Sequence, residues 1–305
     1  MLNRIKIKQI DAFTTTPFEG NPAGVVNDAN KLDSNQMQKI AREMNLSETA
    51  FVLPPTVQGA DLQLRWFTPL NEVSLCGHAT IAAFHSLAED GLYGMEKHGN
   101  YNFKLETKSG ILPVEVIKSE EKIGINLGLI VPTKFERYQS QKLDIIRILN
   151  LNISDVDPKI LILRAEYLIV PIRRLHVLYS IKPNYFAVTN FLNQRNLQGI
   201  CVFTQETIDR ESLVHLRFFA PNEGIQEDPV TGSAHGPLAV YLFENNLLAP
   251  VDGVATYIAE QGDVLGRKGR INVTLSVENN KVQSIKIGGY AVTVFETDML
   301  IPNKQ

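Results

Sequence analysis

Short runs rich in β-branched and aromatic residues occur at 4–11, 23–27, 50–54 and 60–67, closed off by Pro, Gly, Asn or Asp. This predicts strands joined by turns. Between them, residues 33–44 (DSNQMQKIAREM) place Met37, Ile40, Ala41 and Met44 at helical spacing behind an Asp or Ser cap, the pattern of an amphipathic surface helix. Residues 78–90 (HATIAAFHSLAED) are apolar around most of the helical circumference and stop at Gly91, which predicts a helix buried on all sides. Strands follow at 101–107, 111–117 and 123–129, and a helix at 140–150. The pattern then restarts, with strands at 160–164, 166–171, 174–180, 199–204 and 213–219 and a helix near 183–193. A second apolar helix is predicted at 233–245 (SAHGPLAVYLFEN), and strands at 254–260, 269–276, 281–287 and 289–296 close the chain. Helices set among many strands in both halves favour an α+β fold over a doubly wound parallel sheet.

The chain also echoes itself. Residues 65–69 read RWFTP and residues 217–221 read RFFAP; Asn71-Glu72 follows the first and Asn222-Glu223 the second. Further on, Gly77-His78-Ala79 opens the first apolar helix, and Gly232-Ser233-Ala234 opens the second. A single repetition of this kind predicts a duplicated domain with a pseudo-twofold axis rather than a solenoid. A chain of 305 residues exceeds the usual span of one core. The expected halves are 1–130, completed by a C-terminal strand or tail at about 292–305, and 131–291.

Composition narrows the class. Apolar residues make up 44% and charged residues 21%, so disorder and coiled coil are not supported. A net charge of −3 provides no broad positive field, so neither nucleic acid nor an anionic membrane is an expected partner. The first twenty residues contain no continuous apolar stretch of the secretory type. Cys76 and Cys201 are the only cysteines and lie far apart, which fits a reducing compartment; the expected location is the cytoplasm.

The polar residues with chemical potential cluster in two turns that lead into the apolar helices, NEVSLCGHAT at 71–80 and NEGIQEDPVTGSAH at 222–235. A helix N-terminus offers unpaired N–H groups and the positive end of a dipole, so a carboxylate or a developing enolate can bind there. Gly77 and Gly232 would let a substrate approach the backbone closely. His78, Asp228 and Ser233 are the candidates in these turns. Each has a plain alternative: His78 as a local hydrogen-bonding group, Asp228 before Pro229 as a turn former, and Ser233 as an N-cap. His85 and His235 fall inside the helices and are expected to pack. A third element, NLSETAFVLPP at 45–55, carries Glu48 beside an apolar strand. Held partly out of water there, its carboxylate would be a usable base, although a solvated loop glutamate is the common case.

Spacing also excludes. The chain contains no H-E-x-x-H, no C-x-x-C and no nearby set of three ligands, so no metal site is expected. It has no phosphate-binding glycine loop and no G-x-S-x-G elbow. Thiol chemistry at Cys76 stays open because a helix start favours the thiolate. A two-thiol racemase would need a second cysteine in the equivalent turn, which holds Asp228 instead.

Taken with DAFTTTPFEGNPAGVV at 11–26, LRWFTPLNEVSLCGHATIAA at 64–83, RFFAPNEGIQEDPVTGSAHGPLAVYL at 217–242 and GGYAVTVFE at 288–296, these motifs resemble the phenazine-biosynthesis-like (PhzF-like) isomerase family. That family is similar in fold to diaminopimelate epimerase. The resemblance implies two pseudo-symmetric halves, each a curved, mainly antiparallel sheet wrapped around a central helix, with the site in the cleft between them. It implies that Glu48 is the acid or base moving a proton between carbons, and that His78 and Asp228 assist it. Asn21, Cys76, Gly77, Ala79, Thr231, Gly232 and Ser233 are then the expected substrate-binding surface. The substrate would be a small, conjugated or carboxylate-bearing metabolite, with no cofactor, and family members are often homodimers. The alternatives are an amino-acid epimerase using Cys76 and a small-molecule binding protein that has lost turnover.

Overall fold

The computed structural model describes residues 3–157 and 162–301. It divides into two units, Met1–Gly128 with Lys286–Gln305, and Leu129–Ile285. The start of the strand expected at 160–164 and the end of the tail expected at 292–305 lie outside the described residues.

In the first unit the strands close on themselves. Asn3–Ala12 is antiparallel to Asn21–Val26, which runs parallel to Glu48–Leu53. Glu48–Leu53 is antiparallel to Leu62–Phe67, and this strand runs parallel to Gly99–Thr107. An antiparallel meander continues through Gly110–Lys118 to Ile123–Leu129. The last strand, Lys281–Ile301, pairs with both Ile123–Leu129 and Asn3–Ala12, which completes the circuit. Helix Gly77–Glu89 packs against strands 3–12, 21–26, 48–53 and 110–118. Its residues from Gly77 to Ala88 are all buried, which is why its sequence has no polar face. The outer helix Ser34–Met44 is instead amphipathic, burying Met37, Ile40 and Ala41. A capping box starts it: Asp33 Oδ1 accepts from Gln36 N at 2.9 Å, and Gln36 Oε1 accepts from Asp33 N at 3.2 Å.

The second unit repeats the order of pairings. Leu168–Pro171 runs parallel to Ile200–Thr204, which is antiparallel to Ser212–Ala220; that strand runs parallel to Val254–Gln261, itself antiparallel to Gly269–Glu278. Helix His235–Glu244 is buried from His235 to Leu242. The fold is therefore α+β, with mainly antiparallel strands and an enclosed apolar helix in each unit.

The repeated RWF and RFF segments have a shared physical job. Arg65 forms a two-pronged bond to Glu72 at 2.8 and 2.8 Å, and Arg217 does the same to Glu227 at 2.7 and 2.7 Å. Each guanidinium also lies over the phenylalanine two residues on, 5.1 Å from the centre of Phe67 and 5.0 Å from that of Phe219. The structural counterpart of Glu72 is thus Glu227, not the Glu223 that the Asn-Glu echo suggests. Register agrees, since Val73 lies opposite Trp66 and Asp228 lies opposite Phe218. A second pair of carboxylates repeats too. Glu106 accepts from the backbone N–H groups of Thr56 and Val57, and Glu260 from those of Ile208 and Asp209.

Two expectations are corrected. Residues 174–180, expected as a strand, form helix Leu175–Ser180. Both ends of that helix are satisfied by distant side chains: Glu206 accepts from Leu175 N at 2.8 Å, and Arg217 Nη1 donates to Leu178 O at 2.8 Å and Ile181 O at 2.9 Å. Local propensity could not register these partners. The break expected at Gly288-Gly289 is absent, because Lys281–Ile301 is continuous. A Cβ on Gly288 would lie 2.1 Å from Asn126 Oδ1, and one on Gly289 2.8 Å from Phe13 Cδ1, so close approach of neighbours, not turning, calls for glycine.

The two arginine pairs differ in burial, with side-chain exposures of 6% and 8% for Arg217 and Glu227 against 24% and 15% for Arg65 and Glu72. Glu72 also keeps Lys108 at 2.7 Å. Arg217→Ala is therefore expected to cost about 3–5 kcal/mol, and Arg65→Ala roughly 1 kcal/mol. Urea unfolding of the two variants checks this; equal losses would contradict it.

Candidate active site

Glu48 opens a strand whose burial is unbroken from Glu48 to Val52, so its carboxylate starts from a desolvated position. Parallel pairing sets it opposite Ala23, two residues beyond Asn21 on the neighbouring strand, and Asn21 is fully buried. The loop that delivers Asn21 holds Phe13 and Phe18 at φ 64° and 70°. Asp11 Oδ2 fastens that loop by accepting Phe18 N at 2.7 Å.

Cys76 is the extended N-cap residue of helix Gly77–Glu89 and makes no side-chain cap bond, and the first turn has no acidic residue. The positive end of this helix is therefore not neutralised by its own side chains. His78, in that first turn, has Nε2 3.3 Å from Glu48 Oε2 and 3.2 Å from Ser47 Oγ. Its Nδ1 is 3.4 Å from Cys76 Sγ. Glu48, Cys76 and His78 are 9%, 6% and 4% exposed. Burial pushes the His78 pKa down to about 3, so the ring is neutral near pH 7. The ring shares hydrogen bonds with Ser47 Oγ at Nε2 and with Cys76 Sγ at Nδ1, and the Glu48 carboxylate lies beside Nε2. Gly77 and Ala79 flank His78 in the same buried turn.

In the second unit Asp228 ends the short strand Ile225–Asp228 and is buried. Thr231 Oγ1 donates to Asp228 Oδ2 at 2.6 Å. Gln261, absent from the sequence-based candidates, ties the turn together: its Oε1 accepts from Thr231 N at 2.8 Å, and its Nε2 donates to Asp228 O at 2.7 Å. Thr231 thus orients Asp228, and its N–H is already engaged. The only sequence signal for Gln261 was a polar residue ending a strand. Ser233 is not an N-cap, because Ala234 holds that position; Ser233 Oγ accepts instead from Tyr167 Oη at 3.0 Å. Gly232 turns the chain just before it, with Gly232 O accepting His235 N at 3.1 Å. His235 and His85 are buried packing residues as expected, and among the described residues His235 Nε2 and His85 Nδ1 find no hydrogen-bond partner.

The structure thus brings Glu48, Cys76 and His78 together in one unit, and Asp228, Thr231 and Gln261 together in the other. The internal repeat shows that the two turns are not chemically equivalent. With Gly77 matched to Gly232, Cys76 corresponds to Thr231 and His78 to Ser233. Thr49 lies opposite Phe67 and Ile200 opposite Phe219, so Glu48 corresponds to Gly199. A side chain at Gly199 would meet Phe218 Cζ at 2.5 Å. The carboxylate–imidazole–thiol group therefore has no counterpart in the second unit.

Sequence spacing predicted no metal site, yet folding sets one ligand atom each from Glu48, Cys76 and His78 within 4.8 Å of one another. The ligands come from separate elements, so no short motif signals them. Among the described residues, no helix is long and apolar enough to cross a membrane.

A family model described as phenazine biosynthesis-like protein matches residues 10–297. An uncharacterized isomerase of Clostridium acetobutylicum is 38% identical, covering 99% of this chain and 100% of its own. The uncharacterized isomerase YddE of Escherichia coli O157:H7 is 34% identical over 97% of this chain and 98% of its own. The crystal structure of a Bacillus anthracis phenazine biosynthesis protein of the PhzF family superposes with a TM-score of 0.86 at 33% identity, covering 98% of this chain and 100% of that one.

Burial depresses three histidines, His78 and His235 to about 3 and His85 to about 4. Unfolded, each takes up a proton near pH 6.5. Stability from this source is complete above pH 6.5 and falls as the pH drops towards 4, by at most about 1.4 kcal/mol per pH unit for each histidine. Denaturation free energies at pH 7, 6 and 5 are expected to decline increasingly steeply; a flat profile would contradict the burial of neutral rings.

Proposed function

Because the chain belongs to the phenazine biosynthesis-like family, we propose that it is an isomerase that moves a proton between carbons of a small, carboxylate-bearing metabolite. The observation that carries this reading is the buried contact between Glu48 and His78 at 3.3 Å. Family relatives are named isomerases, which supports the reaction class.

In this reading the Glu48 carboxylate removes a proton from a carbon activated by a conjugated system or carboxylate. The C–H electron pair delocalises into that system, and Glu48 becomes a neutral acid. It then returns the proton to a different carbon, so atoms and charge balance without an oxidant or a cofactor. The His78 ring, itself held by Ser47 Oγ and Cys76 Sγ, lies against the carboxylate and restricts its orientation through both half-reactions. The uncapped start of helix Gly77–Glu89 favours the charge that develops on the substrate. Asp228, oriented by Thr231 and Gln261, is the proposed second polar group for the substrate. The asymmetry of the two turns supports a single carboxylate that shuttles the proton, rather than two matched bases.

One contact favours a second reading. Cys76 Sγ lies 3.4 Å from His78 Nδ1, a pairing that could generate a thiolate base for an epimerase. The equivalent residue in the other turn, Thr231, cannot serve as the opposing thiol.

Deuterium incorporation from heavy water into a panel of unsaturated and amino-bearing carboxylic acids, followed by mass spectrometry, tests the assignment. Glu48→Gln is expected to lower exchange by about 10²–10⁴-fold, with ligand binding retained. Undiminished exchange in Glu48→Gln, together with its loss in Cys76→Ser, would transfer the role of base to the thiol. Ligand binding without exchange in the unmodified chain would make it a binding protein.

A further inference from the structure

We infer that Glu48, Cys76 and His78 form a binding site for a zinc-class divalent cation. Three features lead there. The residues supply a thiol, an imidazole and a carboxylate, the donor set that zinc accepts and that magnesium and calcium, which seek oxygen, do not. All three are buried, so an ion there would be sheltered from competing water. Among the described residues this is the one group of three His, Cys, Asp or Glu ligands whose atoms lie within 4.8 Å of one another.

The spacing is close to what the ion needs. With zinc bonds of about 2.0–2.3 Å, tetrahedral ligand atoms sit roughly 3.3–3.8 Å apart. His78 is already 3.3 Å from Glu48 Oε2 and 3.4 Å from Cys76 Sγ. Those contacts use opposite ring nitrogens, whereas an ion would use one. Binding therefore requires Cys76 or Glu48 to swing towards the chosen nitrogen, a shift of about 1 Å from the 4.8 Å limit. Three protein ligands leave a fourth position for water or a substrate oxygen.

Binding rests on this donor geometry alone. Its consequence, loss of turnover because the ion occupies the lone pair of Glu48, rests on the proton-transfer reading above. The site is then inhibitory, and metal availability sets how much of the protein is active.

Cobalt titration of the metal-free full-length chain tests the inference. The expected result is one ion per chain, with a thiolate-to-cobalt charge-transfer band in the near ultraviolet, visible bands of tetrahedral intensity, and displacement by zinc. Cys76→Ser and His78→Gln are each expected to abolish the charge-transfer band, and Cys201→Ser to retain it. Absence of the band, or its persistence in Cys76→Ser, would overturn the site. Far-ultraviolet circular dichroism of each variant confirms that loss of the band is not loss of fold. In the exchange assay, saturating zinc is expected to reduce incorporation by about 100-fold or more, and a chelator to restore it. A cobalt band without exchange under any condition would leave the metal site standing and defeat the isomerase reading. Exchange that persists with no cobalt band would do the reverse.

Discussion

A carboxylate at the start of a buried strand depends on the polar groups set around it, because removing it from water is costly. Glu48 lies 3.3 Å from Nε2 of His78, contributed by the helix that the strands of the first unit enclose. The helix must be apolar on every side to sit there, which leaves only its first turn to carry polar chemistry. Cys76 and His78 occupy that turn, and the parallel pairing of Glu48 with Ala23 brings the strand to it. Fold and candidate site thus share one cause: closing the strands around helix Gly77–Glu89 buries Glu48 and brings His78 beside it.

The second unit shows what the scaffold requires and what it leaves open. Arginine, glutamate and phenylalanine recur in the same arrangement in both units, and so does a buried glutamate that fastens a loop through two backbone N–H groups. These contacts hold strands and turns together, so both copies keep them. At the turn itself the copies diverge. Cys76, His78 and Glu48 correspond to Thr231, Ser233 and Gly199, and the acid of the second turn, Asp228, corresponds to Val73. The two units thus share these structural bonds and differ in the polar residues of their turns.

Much of this was legible in the sequence. Two helices without a polar face could only be buried, and the RWFTP and RFFAP repeat marks two related units. The motifs around Glu48, His78 and Asp228 identified the polar turns. What could not be read were effects that depend on distant partners. Helix Leu175–Ser180 looks like a strand locally, and Glu206 and Arg217 supply the bonds its ends need. Gly288-Gly289 reads as a turn, but crowding by Asn126 and Phe13 explains the pair. Gln261 lies 30 residues beyond the turn it organises. The convergence of Glu48 with Cys76 and His78 likewise joins a strand to a helix that follows it much later in the chain.

His78 is a buried neutral ring set between the Cys76 thiol and the Glu48 carboxylate. Nitrogen-15 NMR of histidine-labelled protein measures this directly, with His78 assigned by comparison with His78→Gln. One protonated and one unprotonated ring nitrogen are expected, unchanged from pH 8 to pH 5. A doubly protonated ring at neutral pH would contradict it.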